Sequence, residues 1–233
     1  MKILSIVGSP RIQGNTHILA RKFAEGATRD GAEIEEIFLG GLKVAPCIDC
    51  DKCNGDGICR IKDDFGMIVE KMRASEGYLF STPVYCCSVT AQMKALFDRC
   101  NSLAYPNWVS RFEGKYAAFI IGAGYPPPKE RNVLIKHNIR PDALLKLEKA
   151  MKISNPLREA IDPMVPFDPT IDTLKILYQF CAIMGIEIVG FMEVVGLGHE
   201  KESILRRPEE LQKATDLGTR FSEILKSALS EIC

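Results

Sequence analysis

The chain has 233 residues, of which 46% are hydrophobic and 26% are charged, and its 30 Lys and Arg residues balance 30 Asp and Glu residues. This composition is ordinary for a globular protein, and the length suits one large α/β domain, so we predict a single domain over residues 1–233. The zero net charge argues against a nucleic-acid-binding or membrane-surface protein.

The N-terminal residues lack the pattern of a secretory signal peptide. The apolar run after Lys2 ends at Gly8, Ser9 and Pro10, and no segment is long and apolar enough to span a bilayer. We therefore expect a cytoplasmic protein. In that compartment clustered cysteines bind metal centres or act in catalysis more often than they form disulfides.

Short apolar runs predict five β-strands at residues 2–7, 33–39, 77–82, 115–122 and 187–194. Helical periodicity predicts helices that start near residue 15 and at 63–73, 88–102, 171–184 and 208–229. Alternation of this kind indicates a parallel sheet with helices on both faces. We predict a flavodoxin-like, doubly wound α/β fold with strand order 2-1-3-4-5, whose ligand binds at the carboxyl edge of the sheet.

The loop after the first strand has the composition of an anion site. Residues 9–16, SPRIQGNT, contain an Arg and a Gly and lead into a helix that Asn15 or Thr16 is placed to cap. Free N–H groups and the helix dipole there would attract a phosphate. The alternative is a plain strand-to-helix turn, and the Walker A and dinucleotide-binding glycine motifs are absent. His17 either lies near the phosphate or faces solvent, and we favour solvent.

Three loops, 9–16, 82–88 and 122–125, are expected to meet at the carboxyl edge of the sheet. The first offers an anion site. The second offers Pro83, Tyr85 and backbone amides, which suit a flat heteroaromatic ring. Together the loops predict a pocket for flavin mononucleotide (FMN).

Four cysteines occupy one loop after the second strand, with the spacing C-x2-C-x2-C-x5-C at Cys47, Cys50, Cys53 and Cys59. Thiolates this close together suit an iron-sulfur cluster. Cys59 is the weakest ligand candidate, because the fourth cysteine of a ferredoxin run can serve another cluster. Zinc, which usually takes two separated C-x2-C pairs, and free or disulfide-forming thiols are the alternatives. Lys52, Arg60 and Lys62 would offset the charge of a cluster or simply face solvent.

Three motifs together resemble the NAD(P)H-dependent FMN reductases of flavodoxin-like fold. They are G-S-P-R-x-x-G-N-T at 8–16, the cysteine run followed by Asp63 and Asp64, and S-T-P-V-Y-x-x-S-V-x-A-Q-x-K at 81–94. The cysteine run is similar to that of the iron-sulfur flavoproteins of anaerobic archaea and bacteria. The resemblance covers the first half of the chain well and the later elements more loosely.

The resemblance implies the residues of two cofactor sites. The FMN phosphate would be held by Ser9, Arg11, Asn15 and Thr16. The ribityl chain and isoalloxazine would be bordered by Pro83, Val84, Tyr85 and Ser88, and the far side closed by Gly122, Ala123 and Gly124. A 4Fe-4S cluster would be ligated by Cys47, Cys50, Cys53 and Cys59. No catalytic acid or base is required.

The implied function is electron transfer by an oxidoreductase with FMN and a 4Fe-4S cluster, between a low-potential donor such as ferredoxin, or NAD(P)H, and an acceptor. The alternatives are a cluster-free NAD(P)H-dependent FMN or quinone reductase, and a non-catalytic flavin-binding carrier with a structural metal loop. The resemblance implies a homodimer or homotetramer in which a cluster approaches the flavin of a neighbouring subunit. The sheet topology also leads us to expect the cysteine loop near the FMN edge of its own chain.

Two features depart from the family pattern. Cys86 and Cys87 follow Tyr85 at positions where relatives carry an aromatic or small residue and Gly, which would place a thiol beside the flavin. The polar, Pro-rich segment 125–169 is predicted to be an insertion that serves as a lid or an interface, or is partly disordered.

Overall fold

The sheet has five parallel strands in the order 2-1-3-4-5, which confirms the predicted flavodoxin-like topology. The structure is a computed structural model and describes residues 1–104, 111–125 and 169–232. The strands are β1 (Lys2–Val7), β2 (Glu33–Phe38), β3 (Gly77–Pro83), β4 (Lys115–Gly122) and β5 (Ile186–Val194). Each strand begins and ends within about one residue of its predicted bounds.

The α-helices of the described residues cover both faces of this sheet. They are α1 (Asn15–Thr28), α2 (Phe65–Arg73), α3 (Ala91–Ala104), α4 (Pro169–Met184) and α5 (Pro208–Ile232), with short 3-10 segments at Leu39–Gly41 and Ser203–Arg206. Side chains of α1 and α5 pack on one face of the sheet, and those of α2, α3 and α4 pack on the other. None of these helices combines the length and the apolar surface that a bilayer crossing requires.

The central strands β1, β3 and β4 bury their side chains on both faces of the sheet. Ile3 and Leu4 of β1 are fully inaccessible, as are Leu79, Phe80 and residues 117–121. Continuous apolar runs of this kind are typical of parallel strands between two helical layers. Because the core lies on both faces, the carboxyl edge of the sheet is where polar loops can meet and form a site.

Two buried cysteines belong to the core, as their apolar surroundings in the sequence indicate. Cys100 on α3 and Cys181 on α4 are fully buried. Burial raises the pKa of the Cys100 thiol to about 12, so this group stays protonated. Neither cysteine is available as a ligand for a metal centre.

Helix α3 begins at Ala91, three residues later than predicted. Tyr85 and Ser88 exchange both backbone hydrogen bonds, each of 3.0 Å, and close a tight turn before the helix. Thr90 then caps the helix, since its Oγ1 accepts a hydrogen bond from Met93 N at 3.3 Å. The apolar spacing from Ser88 onward therefore extended the predicted helix into a turn.

Most of the predicted insertion 125–169 lies outside the described residues. Tyr125 and Pro169 are described at its two ends, and Pro169 is the first residue of α4. The insertion and the single-domain organisation of residues 1–233 therefore stay predictions.

Candidate functional site

A cleft of about 560 Å³ opens at the carboxyl edge of the sheet, where the three predicted loops meet. Its lining includes the predicted FMN-site residues Ser9, Arg11, Asn15, Thr16, Pro83, Val84, Tyr85, Gly122 and Gly124. Ala123 is buried and does not line the cleft. Ser88 does not line it either, but its backbone pairs with Tyr85 and supports that side of the cleft.

The start of α1 presents backbone donors to the cleft. The first hydrogen bond within the helix runs from Ile18 N to Gly14 O at 3.0 Å. The N–H groups of Asn15, Thr16 and His17 come before it and therefore have no acceptor within the helix. Such donors lie at the positive end of the helix dipole. This end of the cleft therefore suits a phosphate group.

His17 is buried and supports the loop that precedes α1, so the predicted solvent-facing position is wrong. The residue is only 2% exposed. Its Nδ1 accepts a hydrogen bond from Gln13 N at 3.1 Å, and its Nε2 lies 3.0 Å from Glu36 Oε1. Because Nδ1 accepts, Nε2 is the ring nitrogen that donates, and its partner is Glu36. Gln13 has φ 58°, a left-handed conformation that its hydrogen bond to His17 helps to maintain.

The prediction that Asn15 or Thr16 caps α1 is wrong. The N-cap is Gly14, so no side chain caps the helix. The Asn15 side chain is used elsewhere. Its Oδ1 accepts from Ile204 N at 3.1 Å, and its Nδ2 donates to Glu200 O at 3.1 Å and Ser203 Oγ at 3.0 Å. Asn15 thus joins the α1 end of the cleft to the 3-10 segment that follows β5.

The segment after β5 forms a further wall of the cleft that sequence reasoning missed. Residues 197–201 line the cleft, and Arg11 Nη1 donates a hydrogen bond to His199 O at 3.0 Å. Arg207 supports the segment through a 2.7 Å hydrogen bond from its Nη1 to Val195 O. No local motif marks these residues, because their place is set by contacts with loops almost 190 positions earlier in the chain.

Cys86 and Cys87 occupy the tip of the tight turn beside the cleft. Their φ angles are 48° and 60°, the left-handed pair that a two-residue hairpin turn requires and that side chains with a Cβ resist. Cys86 is exposed and lines the cleft, whereas Cys87 does not line it. A thiol beside the flavin stays a prediction. Burial, with the nearby charges of Asp172 and Cys86, raises the pKa of the Cys87 thiol.

The four predicted ligand cysteines line one second cavity of about 50 Å³ between their loop and α3. Cys47 and Cys50 are exposed, and Cys53 and Cys59 are half-buried. Burial, followed by the neighbouring thiols, raises the pKa of Cys53. Within the described ranges, no three His, Cys, Asp or Glu side chains converge closely enough to hold a metal ion.

The lining of this cavity nevertheless has the chemistry that a metal-sulfur centre needs. Its four thiols are soft donors of the type that iron-sulfur clusters select. Ser102 lines the same cavity, and its buried Oγ has no hydrogen-bond partner among the residues described. This hydroxyl is therefore available to a water or to a group bound in the cavity.

Two aspartates close the base of the cysteine loop. Asp64 Oδ2 accepts a hydrogen bond from Lys43 N at 2.7 Å, and Asp63 Oδ2 accepts one from Ala45 N at 2.9 Å. Burial alone would raise the pKa of Asp63, but hydrogen bonds from Arg99 and from backbone N–H groups bring it below its ordinary value. Asp63 therefore stays ionised and anchors the loop.

The cleft and the cysteine cavity are separate sites within the part of the chain described, since no residue lines both. On α3 the cavity is lined by Asp98, Arg99, Asn101 and Ser102. These residues lie about two helical turns beyond Ala91, the residue where that helix leaves the carboxyl edge of the sheet. The expectation that one chain brings its cysteine loop near its own FMN edge stays a prediction, since the two sites share no lining residue among those described.

Comparison with known proteins adds family relationships to this geometry. The sequence pattern of the "NADPH-dependent FMN reductase" family matches residues 1–126. The chain is 41% identical over 103 residues to an iron-sulfur flavoprotein of Methanocaldococcus jannaschii. The aligned residues make up 44% of this chain and 53% of that protein. It is 36% identical over 138 residues to an iron-sulfur flavoprotein of Methanosarcina thermophila, covering 59% and 72%. The chain thus spans about half the length of the first relative.

A solved structure shares the fold. The NAD(P)H:quinone oxidoreductase from Methanothermobacter marburgensis superposes with a TM-score of 0.62 at 14% identity, over 95% of this chain and 96% of that chain. At this identity the similarity is one of fold alone.

Proposed function

Because the chain belongs to the NADPH-dependent FMN reductase family and, within it, to the iron-sulfur flavoproteins, we propose that it is an FMN-dependent electron-transfer oxidoreductase that also carries a 4Fe-4S cluster. Electrons would pass between a low-potential donor, such as ferredoxin or NAD(P)H, and an acceptor. One observation carries the proposal: a single chain has a cleft that the N-terminus of α1 lines and, separately, a cavity lined by four thiols.

The residues of the cleft would bind and orient FMN, whose ring supplies one- and two-electron chemistry when bound. The N–H groups at the start of α1 would bind its phosphate, and Arg11 has guanidinium donors beyond the one that binds His199 O. Tyr85, which is 43% exposed, and Pro83 would border the ring on the β3 side. Gly122 would allow close approach from the β4 side.

The thiolates of Cys47, Cys50, Cys53 and Cys59 would hold the cluster, which when bound passes single electrons. Asp63 and Asp64 bind the end of their loop to its start, and all four thiols line one cavity without a second cysteine run. All cysteines of the described residues are free thiols, which suits the reducing conditions of the cytoplasm that we propose for this protein.

The separation of the two cavities favours electron transfer between subunits. The cysteine cavity opens at the surface, where Cys47 and Cys50 are exposed, and it shares no lining residue with the cleft. We therefore propose a homodimer or homotetramer in which the cysteine cavity of one copy approaches the cleft of another.

Anaerobic isolation with quantified iron, acid-labile sulfide, zinc and flavin tests the proposal. We expect bound FMN, about four irons per chain and broad visible absorbance beyond the flavin bands. Cys→Ser variants at the four ligand positions, Cys59→Ser above all, should lose iron, whereas Cys86→Ser and Cys87→Ser should keep it. Unchanged iron in Cys59→Ser would refute its role as a ligand.

A cluster-free NAD(P)H-dependent FMN or quinone reductase is the second candidate. It is favoured by the loose arrangement of the cysteines, which do not converge as metal ligands within the described residues. Rapid NADPH oxidation by protein that contains flavin but no iron would support this candidate. Stoichiometric zinc without flavin would instead support a non-catalytic carrier with a structural metal loop.

A further inference from the structure

Arg99 has the largest fully buried side chain among the described residues. Arginine is rarely buried unless its charge is paired. It lies on α3 and lines the cysteine cavity. No motif in the sequence marks Arg99, which lies 40 positions after Cys59, the last cysteine of the loop. The partners of its guanidinium indicate what it does.

The guanidinium of Arg99 joins both ends of the cysteine loop to α3. Nη1 donates to Asp63 Oδ2 at 2.8 Å and to Ala45 O at 3.0 Å, and Nη2 donates to Asp63 Oδ1 at 3.1 Å and to Ile61 O at 3.3 Å. Ala45 precedes the first cysteine and Ile61 follows the last. One planar group with several fixed donors can span these positions, whereas an ammonium group cannot.

The remaining donor of Arg99 is directed at a predicted ligand. Nε donates a hydrogen bond to Cys59 Sγ at 3.0 Å. Asp63 balances the charge of Arg99 through the Nη groups, so Nε–H remains available to the sulfur. Arg99 could bind both loop ends and pair with Asp63 without its hydrogen bond to Cys59 Sγ. That hydrogen bond therefore needs a separate explanation.

We propose that Arg99 is a positioning residue of the iron-sulfur centre, which holds Cys59 in place as the fourth ligand and raises the reduction potential of the cluster. The inference rests on the proposed function. An added electron increases the negative charge on the ligand sulfurs, and an N–H donor from a buried cation stabilises that charge more in the reduced than in the oxidised form. Hydrogen bonds to ligand sulfurs are a recognised determinant of cluster potential.

Arg60 provides a matched control. It follows Cys59 directly and lines the same cavity, but its side chain is 48% exposed and pairs with the exposed Asp56. Solvent screens such a charge, so Arg60 should influence a cluster much less than the buried Arg99. Comparing the two arginines separates a specific buried contact from a general effect of positive charge.

The test compares three variants of the full chain, isolated anaerobically with their cofactors. Arg99→Gln alone would leave Asp63 as an unpaired buried charge, so the double variant R99Q/D63N removes both charges together. R99K keeps the charge but loses the planar fork. R60Q is the control. The reduction potential of the cluster is measured by spectroelectrochemical titration, and iron content is measured in parallel.

We expect the ratio of oxidised to reduced cluster at a given potential to be about tenfold higher in R99Q/D63N than in the wild type. This corresponds to a reduction potential lower by about 59 mV for a one-electron couple. R99K should shift the equilibrium in the same direction, and R60Q by less than about twofold. A cluster that keeps the wild-type potential in both Arg99 variants would overturn the inference and leave the proposed function standing. A wild type that binds no iron would overturn both together.

A second readout does not need the cluster. In cluster-free protein, amide hydrogen exchange across residues 45–61 should be at least about tenfold faster in R99K than in R60Q, because the loop loses its shared anchor. Equal exchange in these two variants would show that Arg99 does not position the loop, and would overturn that part of the inference.

Discussion

Thr16 at the start of α1 and Gly122 at the end of β4 meet so closely that a Cβ on Gly122 would lie 2.5 Å from Thr16 Cγ2. Both residues line the cleft. Gly122→Ala should therefore push the start of α1 away from β4. We expect the free energy of unfolding to fall by about 1–3 kcal/mol and the Kd for FMN to rise by about tenfold or more. Denaturant titration and flavin-fluorescence titration measure the two effects.

Gly66→Ala is the control for this substitution. Gly66 lies on the exposed side of α2, with nothing within 4 Å of an added Cβ. Alanine should stabilise this helix by about 0.5–1 kcal/mol and leave FMN binding unchanged. Wild-type FMN affinity in Gly122→Ala would show that the contact with Thr16 does not shape the cleft.

His17 is expected to matter for FMN binding although its side chain is directed into the fold. Removing the Nδ1 acceptor with His17→Leu leaves Gln13 N without its partner and frees the loop that precedes α1. We expect the FMN Kd to rise by about tenfold, since a lost hydrogen bond at a strained position costs about 1–2 kcal/mol. His17→Asn can still accept from Gln13 N and should bind FMN more tightly than His17→Leu. Equal Kd values in the two variants would contradict this explanation.

Cys87 offers a gain in stability. Its φ of 60° is unfavourable for a residue with a Cβ, so Cys87→Gly should raise the free energy of unfolding by about 1 kcal/mol. Cys87→Ala removes the same thiol but keeps the Cβ and should show no such gain. The Tm values of the two variants, compared with that of the wild type, separate relief of backbone strain from loss of the thiol.

Asp63 should make the protein sensitive to acid. Its pKa in the folded state is lower than its unfolded value of about 3.9, so the folded state resists protonation. The resulting stabilisation is fully present above the unfolded pKa and is lost as the pH falls through the folded pKa. Asp63→Asn should lower the free energy of unfolding at pH 7 by about 3 kcal/mol and flatten its decline below about pH 4.

Urea denaturation of the cluster-free protein at a series of pH values measures this effect. Glu70→Gln removes an ion pair with Arg73 in which both side chains are more than half exposed. This control should change the stability by less than about 0.5 kcal/mol. If the free energy of unfolding of Asp63→Asn fell with decreasing pH as steeply as that of the wild type, other carboxyl groups would cause the acid sensitivity.

Much of the fold follows from local patterns in the sequence. The apolar runs of β1, β3 and β4 predict buried parallel strands because such strands need no alternation. The position of the cleft follows as well, since loops after parallel strands must meet at one edge of the sheet. Elements whose ends depend on a tight turn, such as the start of α3 after Ser88, were placed less well. There two backbone hydrogen bonds outweigh apolar periodicity.

The spacing of Cys47, Cys50, Cys53 and Cys59 placed four thiols on one loop, and they line one cavity. Within the described residues these thiols do not converge as metal ligands, so the cluster stays a prediction. The tertiary structure alone decided what surrounds them. Arg99 reaches Cys59 from 40 positions away, and Arg11 reaches the segment after β5 across 188. Contacts over such distances depend on how the helices pack on the sheet. No spacing within a single loop encodes that packing.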